Sequence, residues 1–193
     1  MSINLLHTIQ ENLGYPVLHK VDANTQDVIV DADKPNINRF SQAAIPAVLI
    51  ALYKYSRADE GAKDILSADP GTDWTALIFS DKKDKAIEEI AAYSGNDKGE
   101  VITKLNGIAK EAIGIIRQKV TATGTIADVK TLLADSRNDV LPYLPEDLQM
   151  GSVLHDNTLD DRTNKMEGPI SSLMHAIGGS FSGSDSEETN ISK

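Results

Sequence analysis

Apolar residues recur every three or four positions along most of this chain, the spacing that places them on one face of an α-helix. The longest stripe of this kind is formed by Val101, Leu105, Ile108, Ala112, Ile113, Ile116 and Val120. Shorter stripes run through residues 3–13, 36–57 and 81–96. The pattern therefore predicts an all-α fold, a compact multi-helix domain in which each helix buries one apolar face in a shared core.

Polar residues and proline at the ends of these stripes predict where helices begin. Asp97 and Thr125 each stand before a stripe, and an acid three residues later can complete a capping box with each of them. In "TDWTALIFSD", Thr72 or Asp73 is expected to cap a short helix. Pro46 lies inside the stripe of residues 36–57, where it predicts either a kink or the first turn of a second helix.

The segment before residue 36 has a weaker pattern. Pro16 can occupy the first turn of a short helix that would bury Val17, Leu18 and Val21. The run "VIV" at residues 28–30 is flanked by acids and has no evident partner strand. We expect it to form a turn of helix or a loop.

The order of the stripes predicts how the chain is divided. Residues 1–154 are expected to form the helical domain, with possible repeat halves at about 1–70 and 71–154. An ancient duplication would explain the similar layout of the halves, and so would chance similarity between amphipathic helices. Residues 155–179 are predicted to form an acidic hinge and a short amphipathic helix, followed by a disordered, acidic, Ser-rich tail at 180–193.

Composition narrows the expected environment and partners. The chain contains no cysteine, which removes disulfides and thiolate metal sites. Its formal net charge of −10 repels phosphate backbones, so we expect no nucleic-acid partner. No apolar run is long enough to span a membrane, and the N-terminus lacks the pattern of a signal peptide. A cytoplasmic protein without a membrane partner is the expectation.

Three successive segments carry a resemblance to a known family. They read "AAIPAVLIALYKYSRADEGAKDIL", "KKDKAIEEIAAYSGNDKGEVITKLNGIAKEAIGIIRQKV" and "VKTLLADSRNDVLPYLPEDLQMGSVL". Together they resemble the bacterial YidB-like family, the domain of unknown function 937. In that family a helix of Ala-Pro-Leu type, a Gly turn and a Leu-Leu helix repeat and then close on a Leu-Pro-x-x-Leu stretch, here residues 144–148.

The resemblance covers roughly residues 35–154 and rests on layout and short apolar motifs. The chain departs from the pattern where "IAKE" replaces Ala-Pro in the second helix, and it adds a long tail. The resemblance implies an all-helical bacterial protein. It brings no established activity and no catalytic residues.

One cluster of possible metal ligands follows the helical domain. His155, Asp156, Asp160 and Asp161 combine an imidazole with carboxylates, which suit Mg²⁺ or Ca²⁺. Their spacing matches no known metal motif, and Asp residues also serve as caps and in turns. No other cofactor is expected.

A last apolar stripe lies in the C-terminal region. It consists of Met166, Ile170, Leu173, Met174 and Ile177. Such a segment either folds back on its own domain or docks into a partner, where methionine gives adaptable contacts. Docking on a protein partner or on a second copy of the chain would make this stripe the interaction site.

These features lead to two functional hypotheses. The chain has no Gly-x-Ser-x-Gly elbow, no histidine pair at helical spacing and no P-loop, so no catalytic residue is predicted and an enzyme is the less favoured class. The first hypothesis is a non-enzymatic interaction or scaffold protein of the bacterial cytoplasm. The alternative is a divalent-metal-dependent enzyme or metal-binding regulator that uses the Asp/His cluster at residues 155–161.

Overall fold

The computed structural model describes residues 4–22, 25, 27–29, 37–120 and 124–156, and this part of the chain is all-α, as predicted. The α-helices are α1 (Leu5–Asn12), α2 (Arg39–Ser56), α3 (Asp59–Leu66), α4 (Trp74–Phe79), α5 (Lys83–Ser94), α6 (Lys98–Lys119), α7 (Ile126–Val140) and α8 (Met150–Leu154). Short 3-10 turns are formed by Ser80–Lys82, Leu141–Tyr143 and Glu146–Leu148. No described residue belongs to a β-strand.

Helix α2 occupies the centre of the domain. Every side chain from Phe40 to Leu52 is buried, which is typical of a helix surrounded by others rather than one lying at the surface. The helices α1, α3, α4, α5, α6 and α7 all pack against it. Pro46 lies inside α2, which continues without interruption to Ser56, so the expectation of a second helix starting there is wrong.

The predicted N-caps of α4, α6 and α7 are confirmed. The Asp73 carboxylate accepts a hydrogen bond from the Ala76 N–H at 3.1 Å and begins α4. Thr125 and Asp128 form the expected capping box at the start of α7. Asp97 caps α6 through the Gly99 N–H, but Glu100 instead binds Asn96 and Lys104, so the box expected there is wrong.

The segment between α1 and α2 differs from the prediction. Residues 16–20 form no helix, and Val17 is 38% exposed rather than buried. Val21 forms an isolated antiparallel bridge with Val28, and its N–H donates to the Pro142 carbonyl at 2.7 Å. Partners from distant parts of the chain thus hold this segment extended, and the loop expected around residue 28 is observed.

One buried cluster joins all the helices described above. It runs from Leu5 in α1 to Leu154 in α8 and includes Leu144 and Leu148 of the Leu-Pro-x-x-Leu stretch. Residues of both predicted halves contribute to it, while the relationship between the halves stays a prediction. The C-terminal stripe and the Ser-rich tail lie outside the described residues.

Candidate functional site

A cleft of about 450 Å³ opens where four segments of the chain meet. These segments are the loop before α2, the first turn of α2, the end of α5 and the Leu-Pro turn after α7. The lining residues are Asp27, Val28, Ile37, Arg39, Tyr93, Pro145 and Asp147. The volume lies in the range of clefts that bind small molecules.

Arg39, the first residue of α2, is held in place by Tyr93. Its Nε donates a hydrogen bond to the Tyr93 carbonyl at 2.8 Å, and its guanidinium carbon lies 4.6 Å from the centre of the Tyr93 ring. Among the described residues, the two terminal nitrogens of the guanidinium have no further hydrogen-bond or ion-pair partner. They are therefore available to an acceptor placed in the cleft.

Tyr93 forms the aromatic wall of the cleft. Burial raises the pKa of its phenol, the charge of Arg39 lowers the pKa, and the charge of Asp147 raises it. Both charged groups therefore lie close enough to act on the same phenol. The half-buried ring supports the Arg39 guanidinium on its face and leaves the phenol neutral at neutral pH.

Two exposed carboxylates, those of Asp27 and Asp147, line the same cleft as Arg39. Within the described ranges, neither carboxylate forms an ion pair or a side-chain hydrogen bond, and neither is paired with Arg39. Among the described lining residues, one cation and two anions give a formal charge of −1. The Arg39 guanidinium and the carboxylates of Asp27 and Asp147 thus line one cleft without forming ion pairs with each other.

A buried amide fixes the walls of the cleft to α2. Gln42 lies one turn after Arg39 and is 1% exposed. Its Nε2 donates to the carbonyls of His19 and Tyr143, at 2.8 and 2.9 Å, and its Oε1 accepts from the His19 N–H at 2.9 Å. The N-terminal segment and the Leu-Pro turn are thereby both attached to the central helix.

A second cleft, of about 390 Å³, lies between the end of α6 and the helix α7. It is lined by Lys119, Val120, Gly124, Asp128, Thr131, Leu132 and Asp135. The Asp128 carboxylate is already occupied, because hydrogen bonds from Thr125 bind it and lower its pKa. The described lining of this cleft contains no arginine and no aromatic ring, whereas the first cleft has a guanidinium held against an aromatic wall, so the cleft around Arg39 is the stronger candidate site.

Two of the four predicted metal ligands lie in the described part of the chain. His155 is exposed and ends α8, while the Asp156 carboxylate lies 4.0 Å from the guanidinium of Arg57. Asp160 and Asp161 lie outside the described residues. No three His, Cys, Asp or Glu side chains within the described ranges are grouped so that they could hold a metal ion. The cation site at residues 155–161 therefore stays a prediction.

The sequence alone gave no sign of the cleft around Arg39. Arg39 and Tyr93 are 54 positions apart, and no motif links them. The Leu-Pro-x-x-Leu stretch supplies Pro145 and Asp147 to the cleft, but this motif indicates a resemblance to a family and not a ligand site.

Comparison with known protein families, curated proteins and solved structures finds no match for this chain. The resemblance to the YidB-like family accordingly stays a prediction. Among the helices of the described residues, none is sufficiently long and apolar to cross a membrane.

Proposed function

We propose that this chain is a non-enzymatic interaction or scaffold protein of the bacterial cytoplasm. In this proposal the C-terminal stripe docks on a protein partner or on a second copy of the chain. The stripe consists of Met166, Ile170, Leu173, Met174 and Ile177. The observation that supports the proposal is that the helical domain already buries its apolar faces within itself.

The described part of the domain leaves little apolar surface for the stripe. Its exposed large hydrophobic residues are Leu13, Val17, Ile29, Leu77 and Ile102, which are 37–52% exposed. They come from the end of α1, the loop before α2, α4 and α6. A stripe gains about 1.5–3 kcal/mol for each large side chain that it fully buries, and a partner's groove provides that burial better than partly covered side chains do.

Charge indicates what kind of groove would suit the stripe. Acids outnumber bases within and around the stripe: Asp160, Asp161, Glu167, Asp185, Glu187 and Glu188 stand against Arg162 and Lys165. An apolar groove edged by basic residues would complement this pattern. The same acids and the net charge of −10 oppose binding to anionic membranes and to nucleic acids.

The proposal is tested with a pair of matched variants of the full chain. The Leu173→Asp/Ile177→Asp variant places two charges on the stripe, and Ser171→Asp/Ser172→Asp adds the same charges at polar positions. Self-association is measured by sedimentation velocity, and partner binding by quantitative capture from bacterial lysate.

We expect association by one of these measurements in the wild type and in the serine variant, and its loss in the stripe variant. Identical sedimentation and capture for the wild type and both variants would remove the support for a docking stripe.

A further inference from the structure

We propose that the cleft around Arg39 binds a small zwitterion, an α-amino acid with an aliphatic side chain. Its carboxylate would pair with the Arg39 guanidinium, and its ammonium with the carboxylates of Asp27 and Asp147. The residues of this site lie between positions 27 and 147 of the sequence, and the proposal does not depend on the proposed scaffold function.

The carboxylate end of the ligand is recognised by a guanidinium that is already oriented. The hydrogen bond to the Tyr93 carbonyl and the contact with the Tyr93 ring restrict Arg39, so little side-chain freedom is lost on binding. The two unpartnered terminal nitrogens form the edge that accepts a carboxylate through two parallel hydrogen bonds. The position of Arg39 in the first turn of α2 adds the favourable field of a helix N-terminus.

The ammonium end is recognised by the unpaired carboxylates on the same cleft. Asp27 and Asp147 would attract a cation, while Arg39 would repel one, so a simple cation meets opposing charges. A simple anion would be attracted by Arg39 and repelled by Asp27 and Asp147. A ligand with both charges satisfies both sides, and a cleft of about 450 Å³ is large enough to hold an amino acid.

The remaining walls select the side chain of the ligand. Val28 and Ile37 are half-buried, and Pro145 is buried, so the cleft presents aliphatic surface beside its charges. Among the described residues, Arg39, Asp27 and Asp147 are the charged groups that line the cleft, and the ligand's own two charged groups would use all three. Leucine, isoleucine, valine and methionine therefore match the lining better than charged amino acids do.

The test is isothermal titration of the full chain with L-leucine, L-isoleucine, L-valine and L-methionine. N-acetyl-L-leucine and L-leucinamide serve as probes that lack one of the two charges. The Arg39→Gln variant removes the guanidinium, and Asp147→Asn removes an exposed carboxylate that forms no side-chain hydrogen bond or ion pair within the described residues. The matched controls are Arg117→Gln, which also removes one side-chain bond to a backbone carbonyl, and Asp139→Asn at another exposed aspartate.

We expect saturable binding of at least one of the four amino acids. Blocking either charge, or introducing Arg39→Gln or Asp147→Asn, should weaken that binding about tenfold or more, while both controls bind as the wild type does. Circular dichroism confirms that each variant is folded. The proposal is overturned if none of the four amino acids saturates the chain at concentrations up to about 10 mM, or if folded Arg39→Gln and Asp147→Asn both bind like the wild type.

Discussion

Replacing Gln42 by methionine tests how much one buried amide contributes to this fold. Methionine keeps the length and unbranched shape of glutamine, so the substitution removes polar atoms while leaving the packing of α2 nearly unchanged. In the wild type, the Gln42 amide makes three hydrogen bonds with backbone groups of His19 and Tyr143. At 1% exposure, water cannot replace the amide without movement of the surrounding chain.

The expected loss of stability follows from those backbone groups. Each polar group that becomes unsatisfied in a buried site costs about 1–3 kcal/mol. The groups of His19 and Tyr143 lie on loop and turn segments that can shift towards water, so the low end of the range applies. Methionine recovers about 1 kcal/mol through its greater apolar burial. Three such groups at about 1 kcal/mol each, less this gain, lead us to expect that Gln42→Met lowers the free energy of unfolding by about 2 kcal/mol.

The assay is urea unfolding of the full chain, followed by circular dichroism at 25 °C. The midpoint should fall while the dependence on urea stays constant, because the surface exposed on unfolding is the same. Gln10→Met is the matched control, since Gln10 is also a buried helical glutamine but its side chain makes one hydrogen bond, to the Tyr15 carbonyl. With the same gain from methionine burial, we expect a loss of at most about 1 kcal/mol in this control.

The comparison between Gln42→Met and Gln10→Met tests whether the Gln42 amide stabilises the fold through its bonds to His19 and Tyr143. If Gln42→Met unfolds at the same urea concentration as the wild type, or loses no more stability than Gln10→Met, the amide of Gln42 does not hold the N-terminal segment and the Leu-Pro turn to α2. A fall in the slope with urea would instead indicate that part of the domain is already unfolded in the variant.

Three further outcomes are expected. Burial, aided by the hydrogen bond to Asp64, raises the pKa of Tyr55 to about 12. An absorbance titration should therefore show a phenol that ionises near that pH and is missing in Tyr55→Phe, and an identical titration of the two proteins would contradict this. The stability that the raised pKa contributes is complete below the unfolded pKa of about 10 and is lost as the pH rises towards 12. Gly61→Ala should cost more than about 2 kcal/mol, because the new Cβ would overlap the backbone carbonyl oxygen of Tyr55 in α2. Gly107→Ala on α6 meets nothing within 4 Å and should be neutral or stabilising in the same urea assay. If the predicted cation site at residues 155–161 exists, the melting temperature should rise with the concentration of Mg²⁺ or Ca²⁺, and Asp160→Asn should abolish that rise. A melting temperature of the wild type that does not change with either ion would contradict the predicted site.

The helices were predictable because their signals are local. Asp73 caps a helix that begins at the next residue, and Thr125 meets the acid that completes its capping box within one turn. The apolar stripes likewise identify the buried faces of helices that are covered on one side. The continuous helix through Pro46 was less certain from the sequence, because burial on all sides of α2 stabilises a helix that contains a proline.

Predictions were wrong where distant partners decide the backbone. A proline at position 16 is compatible with a helix start, but hydrogen bonds to Pro142 and the bridge with Val28 hold Val21 in an extended conformation. Asp97 has a suitable acid three residues later, yet that acid has two closer partners, so no box forms. No property of the local sequence distinguishes these cases from the ones that were predicted correctly.

The cleft around Arg39 was unpredictable for the same physical reason. Two of its walls, Val28 and Pro145, come from segments without regular helix, and their positions depend on bonds to other parts of the chain. The bridge to Val21 places Val28, and the bond from Gln42 to Tyr143 places the turn that carries Pro145. A buried polar group in the central helix therefore supports both the core and the cleft. Sequence periodicity reports only the core, because it measures which faces are apolar and not which backbone groups a buried amide will bind.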